Sequence, residues 1–332
     1  MQRHVKMEYG TFVISLDFEL LWGMHDKRTI DGYGKNLLGV REAIPLMLDA
    51  FDHHRVKATF ATVGLLFFDT KESMSAALPV IRPQYSNSSL SPYSGHLDQV
   101  GSSEDADPYH FAGSLIRLIQ KYPAHEIACH TFSHYYCLER GQTEAEFSAD
   151  LDAAIKAANQ FGVELRSFVF PRNQYRENYL KICWDKGITS FRGNERNWLY
   201  DARNGEDEST FRRGFRLLDT WFNLSGHNCH DMTTERPLNI PSSRFLRPWS
   251  KRLQTLDGLR LRRITRAMDH AAHTGKIFHL WWHPHNFGSD LEKNMAFLNK
   301  VLVHYGKLKA SHNMRSMTMS EVADEHFRIH AG

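Results

Sequence analysis

Residues 126–134 read EIACHTFSH. The first part, Glu126–His130, is a short apolar run that closes on a histidine, and a second histidine follows at His134. Its length and apolar content predict a buried strand ending at His130. Segments of helical period flank it, Phe111–Lys121 before and Glu144–Phe161 after. A strand set between two helices is the repeating unit of a parallel sheet with crossover helices.

The same rhythm extends in both directions. Apolar runs of strand length occur at Thr11–Glu19, Lys57–Gly64, Arg166–Arg172, Gly187–Arg192, Phe215–Phe222 and Lys276–His283. Helical periods occur at Leu37–His54, Leu259–His273 and Leu291–Tyr305. The fold class expected is α/β, a distorted (β/α) barrel of about seven parallel strands. It is read as one domain over residues 1–332, with insertions near 78–108 and 194–252. Loops of that length suit lids over a barrel mouth.

Asp17, Glu19, His130, His134, Arg172, His283 and His285 all fall at or just beyond the ends of these runs. In a (β/α) barrel that face carries the active site, and in a doubly wound sheet it does too. Two histidines at i and i+4 share a face if the segment is helical, which makes a two-ligand metal platform. A third ligand is needed, and Asp17-Phe18-Glu19 offers two carboxylates at the end of the first strand. The residues alone leave open which one binds. In Phe278–Gly288, FHLWWHPHNFG, strand alternation puts His279, Trp281 and His283 on one side. His283 is a candidate general acid, since imidazole titrates near neutral pH.

Composition narrows the classes. A hydrophobic share of 42% and a charged share of 24% are those of an ordinary globular chain. A formal charge of +3 is too small to argue for a nucleic-acid partner or an anionic membrane. The four cysteines form no CxxC pair and no disulfide framework, which suits a reducing compartment. The opening MQRHVKMEYG has no signal-peptide core, and no apolar stretch approaches membrane-span length. A cytoplasmic location is expected on that basis.

Taken together, SLDFE, ATFATVG, EIACHTFSH, SFVFPRN and HLWWHPH resemble, in order from Phe12 to His285, the motifs of the polysaccharide deacetylase or NodB-homology family of carbohydrate esterases. The resemblance implies hydrolysis of an N-acyl group on an amino sugar with one divalent metal, expected to be zinc. It implies Asp17 as catalytic base, Glu19 as metal ligand beside His130 and His134, and Arg172 as the residue that orients the base. It places His283 in the closing motif and Asp219 and Trp221 in the family's Asp/Trp motif. Two motifs depart from the family's form. Phe18 separates carboxylates that are usually adjacent, and the fourth-strand motif reads Phe-Pro-Arg where Arg-x-Pro is usual. Trp22, Tyr33, Trp221, Trp281 and Trp282 are candidate sugar platforms, because an aromatic face suits the apolar face of a pyranose. His285 joins them as a substrate-binding candidate. An intracellular member would act on a saccharide or surface-polysaccharide (O-antigen or capsule) precursor. Two rivals stand beside this reading: a same-fold amidohydrolase for a formamide or non-sugar amide, and a non-catalytic sugar-binding member.

Overall fold

The computed structural model describes residues 8–200 and 210–330. Its strands are β1 Thr11–Phe18, β2 Thr59–Thr62, β3 Glu126–Cys129, β4 Ser167–Val169, β5 Ser190–Arg192, β6 Leu238–Asn239, β7 Arg244–Phe245, β8 Ile277–Trp282 and β9 Arg315–Ser316. Its α-helices are α1 Ile30–Leu38, α2 Val40–His54, α3 Lys71–Ala76, α4 Gly113–Gln120, α5 Glu144–Gln160, α6 Glu177–Asp185, α7 Thr210–Leu218, α8 Asp257–Thr274, α9 Leu291–His312 and α10 Met319–His330.

The sheet runs β6-β5-β4-β3-β2-β1-β8-β7, with β9 added to β1. Each of these pairings is parallel. The ends of the path, β6 and β7, are not joined by a ladder. The chain between them bridges the gap: Ser242 N donates to Gly193 O at 2.9 Å, and Ser243 N donates to His279 O at 2.8 Å. The result is the expected distorted (β/α) barrel.

Alternation sorts each strand. Phe12, Ile14, Leu16 and Phe18 of β1 and Phe278, Leu280 and Trp282 of β8 join the main core beneath the helices. Val13, Ala61, Val169, Ile240 and Ile277 fill the interior together with Met319, Val322 and Ala323 of α10. The polar interior positions Ser15, Asp17, Arg192 and His279 are buried as well. A buried polar group persists only with partners, so these residues define the site.

Two expectations change. Phe215–Phe222 does not form a strand: its first residues end α7 and the remainder is turn. Apolar residues at 211, 215, 218 and 222 repeat with helical spacing, which a short window reads as a continuous run. In its place the stretch 194–252 contributes β6 and β7, each two residues long and too short for any periodicity to reveal. Within 78–108 the only regular structure is two 3-10 turns, Ser88–Leu90 and Leu97–Gln99.

Candidate active site

The C-terminal ends of β1, β3, β5 and β8 converge on one point. Asp17 is the last inward residue of β1 and Glu19 follows the strand, with Phe18 turned into the core. Glu19 Oε2 lies 3.0 Å from His134 Nε2 and 3.4 Å from His130 Nε2. All three side chains are buried.

His130 donates Nδ1–H to the Val169 carbonyl at 2.8 Å, so the neutral ring keeps its lone pair on Nε2. That buried Nε2 has no hydrogen-bond partner and faces a carboxylate oxygen. Two lone-pair atoms face to face call for a cation between them. Ligand atoms about 2.1 Å from one tetrahedral ion stand about 3.4 Å apart, close to the spacings found here. Glu19, His130 and His134 are the one group of that kind among the described residues. An oxygen and two imidazole nitrogens suit a divalent metal such as zinc.

The histidine loop is not the helical turn in which an i, i+4 spacing puts both rings on one face. Residues 130–137 have no helical assignment. Thr131 and His134 adopt left-handed backbone, with φ of 62° and 58°. Non-glycine residues hold that conformation only where the surroundings enforce it. Asp150 of α5 does so: it accepts from Phe132 N at 2.6 Å, from Ser133 N at 3.1 Å and from the Ser133 hydroxyl. Thr131 Oγ1 accepts from Tyr135 N at 2.8 Å. The His134 ring is set by Tyr136, whose hydroxyl lies 3.1 Å from Nδ1.

Asp17 is gripped by Arg192, whose two terminal nitrogens lie 2.6 and 2.7 Å from the two carboxylate oxygens. Burial pushes the Asp17 carboxyl up, but Arg192 outweighs it and the carboxyl sits below its ordinary value. Burial also opposes ionisation of Glu19, and the facing histidines His283 and His134 pull it well below the usual range. Arg192 extends inward through Ser15 Oγ at 2.9 Å, which lies 2.8 Å from His279 Nε2. His283 follows β8 and faces both carboxylates, with Nε2 3.8 Å from Asp17 Oδ2 and 3.6 Å from Glu19 Oε1.

The remaining expectations divide. Arg172 does not meet Asp17. It pairs with Asp26, stacks on the Tyr136 ring at 3.9 Å, and approaches the histidines only through that tyrosine. Arg192 takes the position beside Asp17. Alternation along Ser190-Phe191-Arg192 was the available signal, since a charged residue at the inward end of a buried strand needs a partner there.

The tryptophans divide as well. Trp22 is buried, donates Nε1–H to the His110 carbonyl at 2.8 Å and packs against His96 and His110. Trp282 is buried on the outer side of β8 against Phe51 and Phe287. Neither offers a free face to a sugar. Trp281 is half-buried inside the barrel, under the Arg192 guanidinium at 4.2 Å and 5.7 Å from the His283 ring. His285 is buried, stacks on His283 at 4.9 Å and meets Tyr33 edge-on at 5.6 Å. Burial depresses its imidazole to about 3, so it stays neutral. Asp219 is buried in a separate knot with Arg244, Arg263 and Ser225. Trp221 lines a cleft beside α8.

With this geometry in place, the chain was compared with known proteins. Residues 31–191 match the family model described as Polysaccharide deacetylase. That span is a polysaccharide deacetylase domain. It contains His130, His134 and Arg172 but neither β1 nor β8, so Asp17, Glu19 and His283 lie outside the matched part of this deacetylase fold. No curated protein matches the chain.

Solved structures share the fold. One, from Mycobacterium smegmatis and assigned to the polysaccharide deacetylases, has 13% identity and a TM-score of 0.63 over 100% of this chain and 96% of its own. Another so assigned, from Pseudomonas aeruginosa PAO1, has 14% identity and a TM-score of 0.54 over 97% and 91%. Puue allantoinase has 14% identity and a TM-score of 0.55 over 98% and 94%. The polysaccharide deacetylase family is one of carbohydrate esterases, hydrolases that act on N-acetyl groups.

Proposed function

We propose that this protein removes an N-acyl group, acetyl in the first instance, from an amino sugar in a saccharide or surface-polysaccharide precursor. The observation that carries the reading is the convergence of the Asp17–Arg192 pair, the Glu19/His130/His134 group and His283 at one barrel mouth. Glu19, His130 and His134 would hold a divalent metal, zinc by the chemistry of the donors, which when bound would polarise an acyl carbonyl and acidify a water.

The chain's own groups supply the rest. Asp17, kept ionised by Arg192, accepts a proton from the attacking water. Glu19, held well below its ordinary pKa, keeps its charge for the cation. His283, across the mouth from both carboxylates, donates a proton to the departing amine. Trp281 and Tyr33, each half-buried near these groups, are the aromatic surfaces left for the sugar once Trp22 and Trp282 are assigned to the core. A cytoplasmic site of action fits a nucleotide-linked or lipid-linked sugar.

The test combines metal analysis of the purified protein with acetate release from N-acetylated sugar nucleotides and oligosaccharides, formate release from a formamide and ring opening of a cyclic ureide. About one metal per chain and acetate from a sugar is the expected result. Turnover of the ureide or formamide alone replaces the reading with a non-sugar amidohydrolase. Sugar binding without turnover replaces it with a lectin-like role.

A further inference from the structure

The helix α7 and the turn after it carry apolar side chains that face solvent. Phe211 is 67% exposed and Phe222 52%, and Leu217, Leu218, Leu224 and Trp198 are exposed beside them. Phe211, Phe215, Leu218 and Phe222 recur at intervals of four, three and four, one stripe of a helical surface, and the Phe211 and Phe215 rings stand 4.6 Å apart. An apolar stripe of this size on a polar surface is a binding surface or a liability.

Exposed cations lie beside it on α8, whereas Arg212 of α7 is buried and donates to the Trp198 carbonyl. On α8, Arg262 and Arg266 lie one turn apart and both are exposed. Neither guanidinium has a hydrogen bond or ion pair to another described residue, unlike that of Arg263 between them, which is held by Asp219 and the Gly226 carbonyl. Arg262 and Arg266 line a cleft of about 560 Å³ with Trp221, Phe222 and Leu259. The one acid on its wall, Asp269, is engaged by His304 at 2.7 Å. The cleft therefore joins two unpaired guanidinium groups to an apolar rim.

We propose that the α7–α8 face docks on an anionic phospholipid surface, with Phe211, Leu218 and Phe222 entering the acyl boundary and Arg262 and Arg266 binding headgroup phosphate. Guanidinium and phosphate are a matched pair, and an apolar stripe with arginines beside it is the composition of an interfacial helix. A second copy of the chain fits less well. A two-fold contact through the cleft sets Arg262 and Arg266 against their own copies, and the one described acid on its wall, Asp269, is already engaged by His304. The inference rests on this surface and not on the reaction assigned to the barrel mouth.

The test is co-sedimentation of the full chain with vesicles of phosphatidylcholine alone or mixed with phosphatidylglycerol. The expected result is binding to the mixed vesicles, weaker binding to the neutral ones, and loss of binding as salt is raised. Arg262→Glu with Arg266→Glu lowers the partition at least about tenfold. Phe211→Ser with Phe222→Ser lowers it independently, with circular dichroism and thermal melting confirming that each variant is folded. No binding of the wild-type chain to phosphatidylglycerol vesicles overturns the proposal, as does equal binding by either double variant. A dimer in light scattering that the same substitutions dissociate, without lipid binding, assigns the face to a second copy instead.

Discussion

Arg192 holds Asp17 through both carboxylate oxygens, at 2.6 and 2.7 Å, across a separation of 175 residues in the chain. Both side chains are buried, and the guanidinium is covered on one face by Trp281. A fork of this kind fixes the direction of a carboxylate as well as its charge. Lysine keeps the charge and loses the fork. Arg192→Lys is therefore expected to fold, keep its metal and lose activity by about 10²-fold, the effect of a small misplacement of the base. Arg172→Lys, one tyrosine removed from the histidines, is expected to lose far less. Equal or reversed losses in a steady-state comparison would return the orienting role to Arg172.

Glu19 and Asp17 point the same way and meet different partners. Glu19 faces two imidazoles and Asp17 faces a guanidinium. Glu19→Ala is expected to lose metal as well as activity. Asp17→Asn is expected to keep metal and lose activity by about 10²–10⁴-fold. Elemental analysis beside turnover decides it, and metal lost from Asp17→Asn but kept by Glu19→Ala exchanges the roles.

His283 is the partly exposed member of the group and lies beyond hydrogen-bond distance of both carboxylates. His283→Ala is expected to leave metal content unchanged and to lower kcat by about 10²–10⁴-fold. A general acid matters most when the leaving amine is poor. The deficit is therefore expected to shrink on an activated anilide, and an equal deficit on both substrates argues against proton donation.

Glu19 has its place because Gly23 has no side chain. A Cβ at Gly23 falls 2.0 Å from Glu19 Cδ and 2.2 Å from Oε1. Gly23→Ala must displace the carboxylate, and a fall in metal affinity of about 10–100-fold is expected, the range for disturbing the support of a ligand. Gly258→Ala, where the added carbon meets nothing within 4 Å, is the control. Titration with zinc against a chromogenic chelator measures both.

His279 supplies a dependence on pH that is separate from the metal ligands. It sits inside the barrel between the Ile240 carbonyl and Ser15 Oγ, and burial depresses its imidazole to about 3. The unfolded chain takes up a proton near 6.5 that the folded one refuses. Stability from this group is complete above about 6.5 and declines as pH falls toward 3, by up to about 1.4 kcal/mol per pH unit. His279→Gln keeps a donor and an acceptor but cannot titrate. Urea midpoints of metal-stripped protein at pH 7, 6 and 5 are expected to fall less steeply in the variant. An identical slope removes His279 from the acid response.

The sequence by itself determined the chemistry available and the strands that carry it. Apolar runs ending in Asp17, His130 and His283 mark strand ends, because period-two burial and the cost of burying a charge are local properties. Trp282, expected as a sugar platform beside Trp281, alternates with it along β8 and packs against Phe51 and Phe287 instead. Tertiary structure decided which charges meet. Asp17 pairs with Arg192 and not with Arg172 because β5 sends Arg192 inward at its last residue, whereas Arg172 leaves β4 through left-handed backbone toward Asp26. The histidine spacing was legible, but the loop that makes His130 and His134 converge was not. It depends on Asp150, which lies on the following helix and reaches the loop only when α5 packs against the barrel. β6 and β7 were invisible for a related reason: a two-residue strand has no period, and only the edges waiting at β5 and β8 make it one.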